Sequence, residues 1–439
     1  MIHSLSKIIL KTIFHYLPCG KSLTLTTSFR GGNLRFLAII CFVSITGIVE
    51  AQELNSPGIL EDRDNPGKFN AGDFELTHGP YLQHLNETGV TIVWTTNRKG
   101  ISWVELAPND GTHFYGVERP KYFATSHGLK EVSRLHSVQI NNLNPGTTYR
   151  YRIVTQEVLR HKGSDLIYGD IVSTNVYRQK PLEFTTNNSS KEDVSFLMLN
   201  DIHGRNSVMR KLISDKNWKD IDLVFFNGDM LSDLQSEEQI FEGFMDAAVG
   251  VFAKEVPMYY ARGNHETRGD FADTFPNYFP SPTGKLYYSF QQGPVHFIVL
   301  DSGEDKPDSD IEYDRIAAFD NYRSEQVSWL KNVVMTEQFI NAPYKIVIVH
   351  IPPIGDWHGA QEIAKKFVPV LNKAGIDLML SGHLHKNLKL DALVGTRNFP
   401  VIVNSNSTML KAKANGEGLH VEVTDEEGNM VDSLVIKGK

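Results

Sequence analysis

Between residues 73 and 186, apolar and polar residues alternate in short runs separated by turns that carry Gly or Pro. Val90-Thr91-Ile92-Val93-Trp94-Thr95 and Ser102-Trp103-Val104-Glu105-Leu106 read as two strands, each with one inward face. Residues 137–140 and 148–153 flank the turn Leu143-Asn144-Pro145-Gly146-Thr147. This texture predicts an all-β sandwich, with Trp94 in its core and Tyr149 as a tyrosine corner whose hydroxyl is tied back to the backbone. Residues 187–193 form a polar joint, and beyond them the rhythm changes to strand, loop, helix. Residues 194–199, 223–226, 256–260, 297–300, 346–349 and 378–380 are short, largely apolar runs of strand length. Val327, Leu330, Val333 and Val334 recur at helical spacing between two of them. That alternation predicts an α/β layer architecture, with strand-like pieces returning at 401–403 and 420–423.

The first 72 residues follow a different pattern. Residues 36–49 are a 14-residue apolar run preceded by Arg30 and Arg35 and followed by the small-residue site Val49-Glu50-Ala51. That is the layout of a secretory signal, and the run is shorter than the roughly 20 residues of a membrane span. The expected layout is therefore a signal region at 1–51, a linker at 52–72, an all-β domain at 73–186, a joint at 187–193 and an α/β domain at 194–439. After signal cleavage no transmembrane anchor would remain, and the mature body would be secreted or held in a bacterial periplasm or cell envelope.

Charge and cysteine content narrow the chemistry. The chain carries a net charge of -8, and residues 1–51 hold five Lys/Arg against Glu50, a net +4; -8 less +4 leaves -12 on the rest. An acidic body argues against a broad nucleic-acid footprint. Both cysteines, Cys19 and Cys41, precede residue 52, so any metal in the body would be held by nitrogen and oxygen.

Five predicted strands end in residues able to bind metal. The run 194–199 leads into Asn200-Asp201-Ile202-His203, and the run 223–226 into Asn227-Gly228-Asp229. Tyr260 is followed by Arg262-Gly263-Asn264-His265-Glu266, Val349 by His350, and Leu380 by Gly382-His383-Leu384-His385. Taken singly, each is also a common turn, helix cap or structural histidine. Taken together, side chains at the carboxyl ends of neighbouring parallel strands converge on one crevice. Residues i and i+2 on an extended segment share a face, so Asp201 with His203 can chelate one ion. His383 with His385 can reach two ions about 3.5–4 Å apart. Asp229 is the natural bridging carboxylate, and Asn264 offers a neutral oxygen.

The order Asp-x-His, Gly-Asp, Gly-Asn-His-Glu, strand-end His and Gly-His-x-His resembles the calcineurin-like metallophosphoesterase superfamily. The β-rich stretch before it resembles a fibronectin type III domain, and the pair resembles the purple acid phosphatase branch. The resemblance implies a double β-sheet sandwich flanked by helices and holding two metal ions. By motif position, Asp201, His203, Asp229 and His385 would hold the first ion, and Asp229, Asn264, His350 and His383 the second. It implies a secreted phosphohydrolase in which metal-activated water attacks a small phosphate monoester in line, with Asp229 and His265 as the catalytic pair and His265 beside the leaving group. Arg262, His358 (in the loop after His350) and Asn200 are the candidate substrate contacts. Where the purple branch has an iron-binding tyrosine, this chain has Ser232, and where it has Asp-x-Gly, this chain has His203. These departures imply colourless divalent metals (Mn, Zn or ferrous iron). The alternatives are a phosphodiesterase or nucleotidase with the same metals, or a non-catalytic envelope binding protein.

Overall fold

The computed structural model describes residues 73–438, apart from Asp215 and Pro282. The signal-like segment and the linker at 52–72 lie outside the described residues. Among the described residues no helix is long and apolar enough to cross a membrane.

The N-terminal part is all-β. Trp94 is buried in its core with Ile92, Val104, Tyr151 and Phe184, and the Tyr149 hydroxyl accepts the Asn144 N–H at 3.0 Å. The two strands expected at 90–95 and 102–106 are one 19-residue strand, Val90–Pro108. Residues 90–95 pair with Ser133–Ile140, and residues 100–108 with Thr148–Lys162, across a register shift between Thr95 and Gly100. The strand changes partners there, which breaks the alternation and makes one strand look like two. Gly100 permits the change, since a Cβ at that position would lie 2.5 Å from Thr155 Cγ2.

The α/β part packs two sheets face to face. Val194–Leu199, Leu223–Phe226 and Met258–Tyr260 run parallel in one sheet. Val295–Leu300, Tyr344–Val349, Leu378–Ser381 and Val401–Val403 run parallel in the other. Each run is mostly apolar because both its faces are covered, with Ser195, His296, Lys345 and Ser381 as the polar exceptions. Phe196, Met198, Phe225 and Tyr259 face Phe297, Ile346, Ile348, Leu378 and Leu380 between the sheets. Leu197, Leu199, Val224 and Phe226 turn the other way, onto Met209, Leu212, Phe241 and Phe244. On the far side Ile298, Val347, Val349 and Met379 meet Leu330, Val333, Ile363 and Leu371 of the outer helices. The first of these sheets also continues into the N-terminal part, where Gln83 pairs with Met258. Parallel order puts the carboxyl ends of both sheets along one edge, and all five sequence motifs fall there.

Candidate metal centre

The loops after Leu199 and Phe226 are laced together at that edge. Asp201 N–H donates to Gly228 O at 2.9 Å, His203 N–H to Asp229 O at 3.0 Å and Gly204 N–H to Met230 O at 2.8 Å. Asp201, His203, Asp229, His383 and His385 all take left-handed backbone angles, with φ of 54°, 50°, 54°, 71° and 52°. That region costs a non-glycine residue on the order of 1–2 kcal/mol, so five such residues in one place mark a site held under strain.

The glycines of the motifs have a separate role. A Cβ on Gly228 would lie 2.6 Å from His350 Nδ1, one on Gly263 would lie 2.2 Å from Asp229 Oδ1, and one on Gly382 would lie 2.7 Å from Asp201 Oδ2. Each glycine thus makes room for a candidate ligand from a different strand.

Two groups of side chains result, Asp201–His203–His385 and Asp229–His350–His383, and Asp229 also closes a third with His203 and His265. His203 Nε2 stands 3.0 Å from His385 Nε2, and His385 Nε2 stands 3.2 Å from Asp201 Oδ1. His350 Nε2 lies 3.0 Å from Asp229 Oδ2, and His383 Nδ1 lies 3.1 Å from Asn264 Oδ1. Asp201 Oδ1 and His350 Nε2 are buried, yet neither makes an aligned hydrogen bond. Buried polar atoms without a well-aligned hydrogen bond are rare, and two of them within one cluster of His and Asp side chains suit a cation. Nitrogen and oxygen donors with one shared carboxylate fit a pair of divalent ions.

Electrostatics agree with that fit. Burial lowers His203 to about 4, and burial with the neighbouring His350 charge lowers His383 to about 4, so both rings are neutral and offer lone pairs at neutral pH. Burial works against a charged His350, but Asp229 and Asp201 overcome it and hold the ring up to about 10. Asp229 is itself pushed below the usual carboxylate range: burial opposes the shift, and His350 outweighs it. The two carboxylates therefore exert a strong pull for positive charge.

His265 reaches the same point. Its Nδ1–H donates to the Ser232 carbonyl at 2.5 Å, its backbone N–H donates to Asp229 Oδ1 at 2.9 Å, and its Nε2 faces Asp229 Oδ2 at 3.9 Å. The three expected substrate contacts are engaged elsewhere. Asn200 is buried: its Nδ2 donates to Asp201 Oδ2 at 2.6 Å and to Asn404 O at 2.9 Å, so it holds a candidate ligand in place. Arg262 Nη2 pairs with Asp301 Oδ2 at 2.9 Å. His358 opens the helix His358–Lys366 and does not sit in a loop; its Nε2 meets both Asp320 oxygens at 2.9 and 3.0 Å.

One residue quoted in a motif without a role is central. Glu266, fully buried, accepts N–H groups from Asp229 (2.9 Å), Met230 (2.7 Å), Leu231 (3.4 Å) and Gly263 (2.9 Å) and the Tyr260 hydroxyl (2.9 Å). It fastens the Asp229 loop to the Asn264 loop. Its only sequence signal is an acid next to an apolar strand end.

Comparison with known proteins agrees with this architecture. Residues 194–387 match the calcineurin-like phosphoesterase family, and residues 79–168 match the purple acid phosphatase N-terminal domain. Purple acid phosphatase 18 of Arabidopsis thaliana is 23% identical, covering 70% of this chain and 65% of the relative. Probable purple acid phosphatase 20 of the same plant is 23% identical, covering 65% of this chain and 64% of the relative. The chain thus spans 65% and 64% of the lengths of these curated relatives. A purple acid phosphatase from yellow lupin (Lupinus luteus) seeds shares the fold, with a TM-score of 0.58 at 15% identity, over 82% of this chain and 74% of that one. Residues 194–387 thus form a calcineurin-like phosphoesterase domain, preceded at 79–168 by a domain of the purple acid phosphatase N-terminal type.

Proposed function

We propose that the protein is a dinuclear metal-dependent phosphohydrolase acting on small phosphate monoesters. The observation that carries this reading is the convergence of the groups Asp201–His203–His385 and Asp229–His350–His383, with the buried Asp201 Oδ1 and His350 Nε2 lacking aligned hydrogen bonds. Asp201, His203, Asp229 and His385 would hold one ion, and Asp229, Asn264, His350 and His383 the other. Two bound divalent ions supply Lewis acidity toward phosphoryl oxygens and lower the pKa of water to about 7.

The chain's own groups do the rest. The Ser232 carbonyl fixes the hydrogen on His265 Nδ1, so the ring gains and loses its second proton at Nε2, the nitrogen that faces the ligand group. From there Nε2–H can donate to the departing ester oxygen. Asn200 and Glu266 hold Asp201 and Asp229 in place from below. Ser232 sits with its Oγ 3.4 Å from His203 Nδ1, where the purple branch has a tyrosine, and this supports a colourless site of Mn, Zn or ferrous iron. The apolar run 36–49 with its preceding arginines supports export to an envelope or exterior.

The test is phosphate release from a nitrophenyl monoester and from the bis-nitrophenyl diester, before and after chelation and after readdition of Mn or Zn. Activity on the monoester that is lost on chelation and restored by metal is expected. Faster release from the diester would replace monoesterase with diesterase, and no release from either would leave a non-catalytic binding protein.

A further inference from the structure

A sixth strand end reaches the site. Val295–Leu300 lies beside Tyr344–Val349, with Leu300 opposite Val349, so the residues after it emerge next to His350. They are Asp301-Ser302-Gly303-Glu304-Asp305. Glu304 is buried and fully engaged: Arg268 grips it through Nε at 2.9 Å and Nη2 at 2.7 Å, and the Tyr313 hydroxyl donates to it. Asp305 is held by the same arginine through Oδ1 alone, at 3.3 Å, and its carbonyl accepts the Gly359 N–H at 2.9 Å. The other oxygen, Oδ2, faces His383 Nε2 at 3.8 Å, with both side chains about nine-tenths buried.

The geometry points to Asp305 as a positioning residue that accepts the Nε2–H of His383 and so fixes that ring's Nδ1 as a ligand of the second ion. His383 Nδ1 is the nitrogen turned toward the candidate ligands, 3.1 Å from Asn264 Oδ1. If Nδ1 is the ligand atom, the hydrogen must sit on Nε2, and Asp305 Oδ2 is the acceptor in front of it. A movement of about 1 Å brings the pair to hydrogen-bond length. A carboxylate behind a ligating imidazole fixes its tautomer and raises its basicity. Arg268 balances the added negative charge and holds Oδ1, and Oδ2 is the oxygen turned toward the His383 ring.

This inference rests on the dinuclear reading, and the experiment separates the two. Zinc is titrated into metal-free full-length protein against a chromophoric chelator, for the wild type, Asp305→Ala and Asp305→Asn. The wild type is expected to bind two ions. In Asp305→Ala the second dissociation constant should rise ~10–100-fold while the first changes less than about 2-fold. Asp305→Asn keeps an acceptor oxygen and should fall between. If Asp305→Ala unfolds, Asp305→Asn decides, since it preserves shape. Two ions bound by the variants as tightly as by the wild type would overturn the role of Asp305 and leave the dinuclear site intact. Weakening of both ions alike would overturn it too, because a general loosening would then be the cause. Fewer than two ions in the wild type would overturn the dinuclear reading itself, and this inference with it.

Discussion

Glu266→Gln is the substitution with the sharpest consequence. Burial, and then the nearby Asp229, push the Glu266 carboxyl upward, yet every neighbour within reach is a donor: four N–H groups and the Tyr260 hydroxyl. Four of the five are backbone N–H groups that can only donate, and together they favour the ionised form. Oε1 serves Met230, Leu231 and Tyr260, and Oε2 serves Asp229 and Gly263. Gln keeps one acceptor. With its oxygen placed at Oε1, its NH2 faces the N–H groups of Asp229 and Gly263, and two buried donors lose their partner. At about 1–3 kcal/mol each, the loss is ~2–6 kcal/mol. That is a large part of the roughly 5–15 kcal/mol by which a domain is stable. Urea unfolding of the metal-free protein measures it, and metal analysis after zinc loading follows, because release of Asp229 loosens both ligand groups. A Glu266→Gln midpoint matching the wild type, with two ions retained, would refute the reasoning.

His265→Asn should lower kcat ~10²–10⁴-fold with KM and metal content unchanged, as expected for a proton donor; a parallel loss of metal would make the residue structural. His385, half-exposed at φ 52°, tests the strain: metal-free His385→Gly should be about 1 kcal/mol more stable than His385→Ala, and the reverse order would show that the backbone there is relaxed. His84 gives a pH dependence. Burial depresses its pKa to about 3, against 6.5 when unfolded, so the stability present above pH 6.5 is lost as pH falls toward 3. Between pH 7 and pH 5 the wild type should lose about 2 kcal/mol more than His84→Asn, a residue that tolerates the φ of 46° at this position; equal losses by urea unfolding would sink the assignment.

The sequence displays strand ends well and partnerships poorly, for a physical reason. A strand buried on both faces must be largely apolar, so runs such as Leu223–Phe226 stand out, and the polar residue that ends each one stands out with them. Arg262 and His358 look available in one dimension because their partners, Asp301 and Asp320, lie 39 and 38 residues away and are brought in only by packing. The sixth strand end was hidden in another way: Asp-Ser-Gly-Glu-Asp reads as an ordinary turn until Arg268 takes up Glu304 and leaves Asp305 facing a histidine. The left-handed angles of Asp201, His203, Asp229, His383 and His385 have no sequence signature, since glycine would suit each of them better. Their side chains are kept there against that preference. The cost is tolerable only because adjoining loops are locked, by Gly228 O on Asp201 N–H and by Glu266 on the Asp229 turn. Conformational strain and hydrogen-bond lock are therefore two halves of one device. A change that removes the lock while sparing every ligand should release the site as surely as the loss of a ligand.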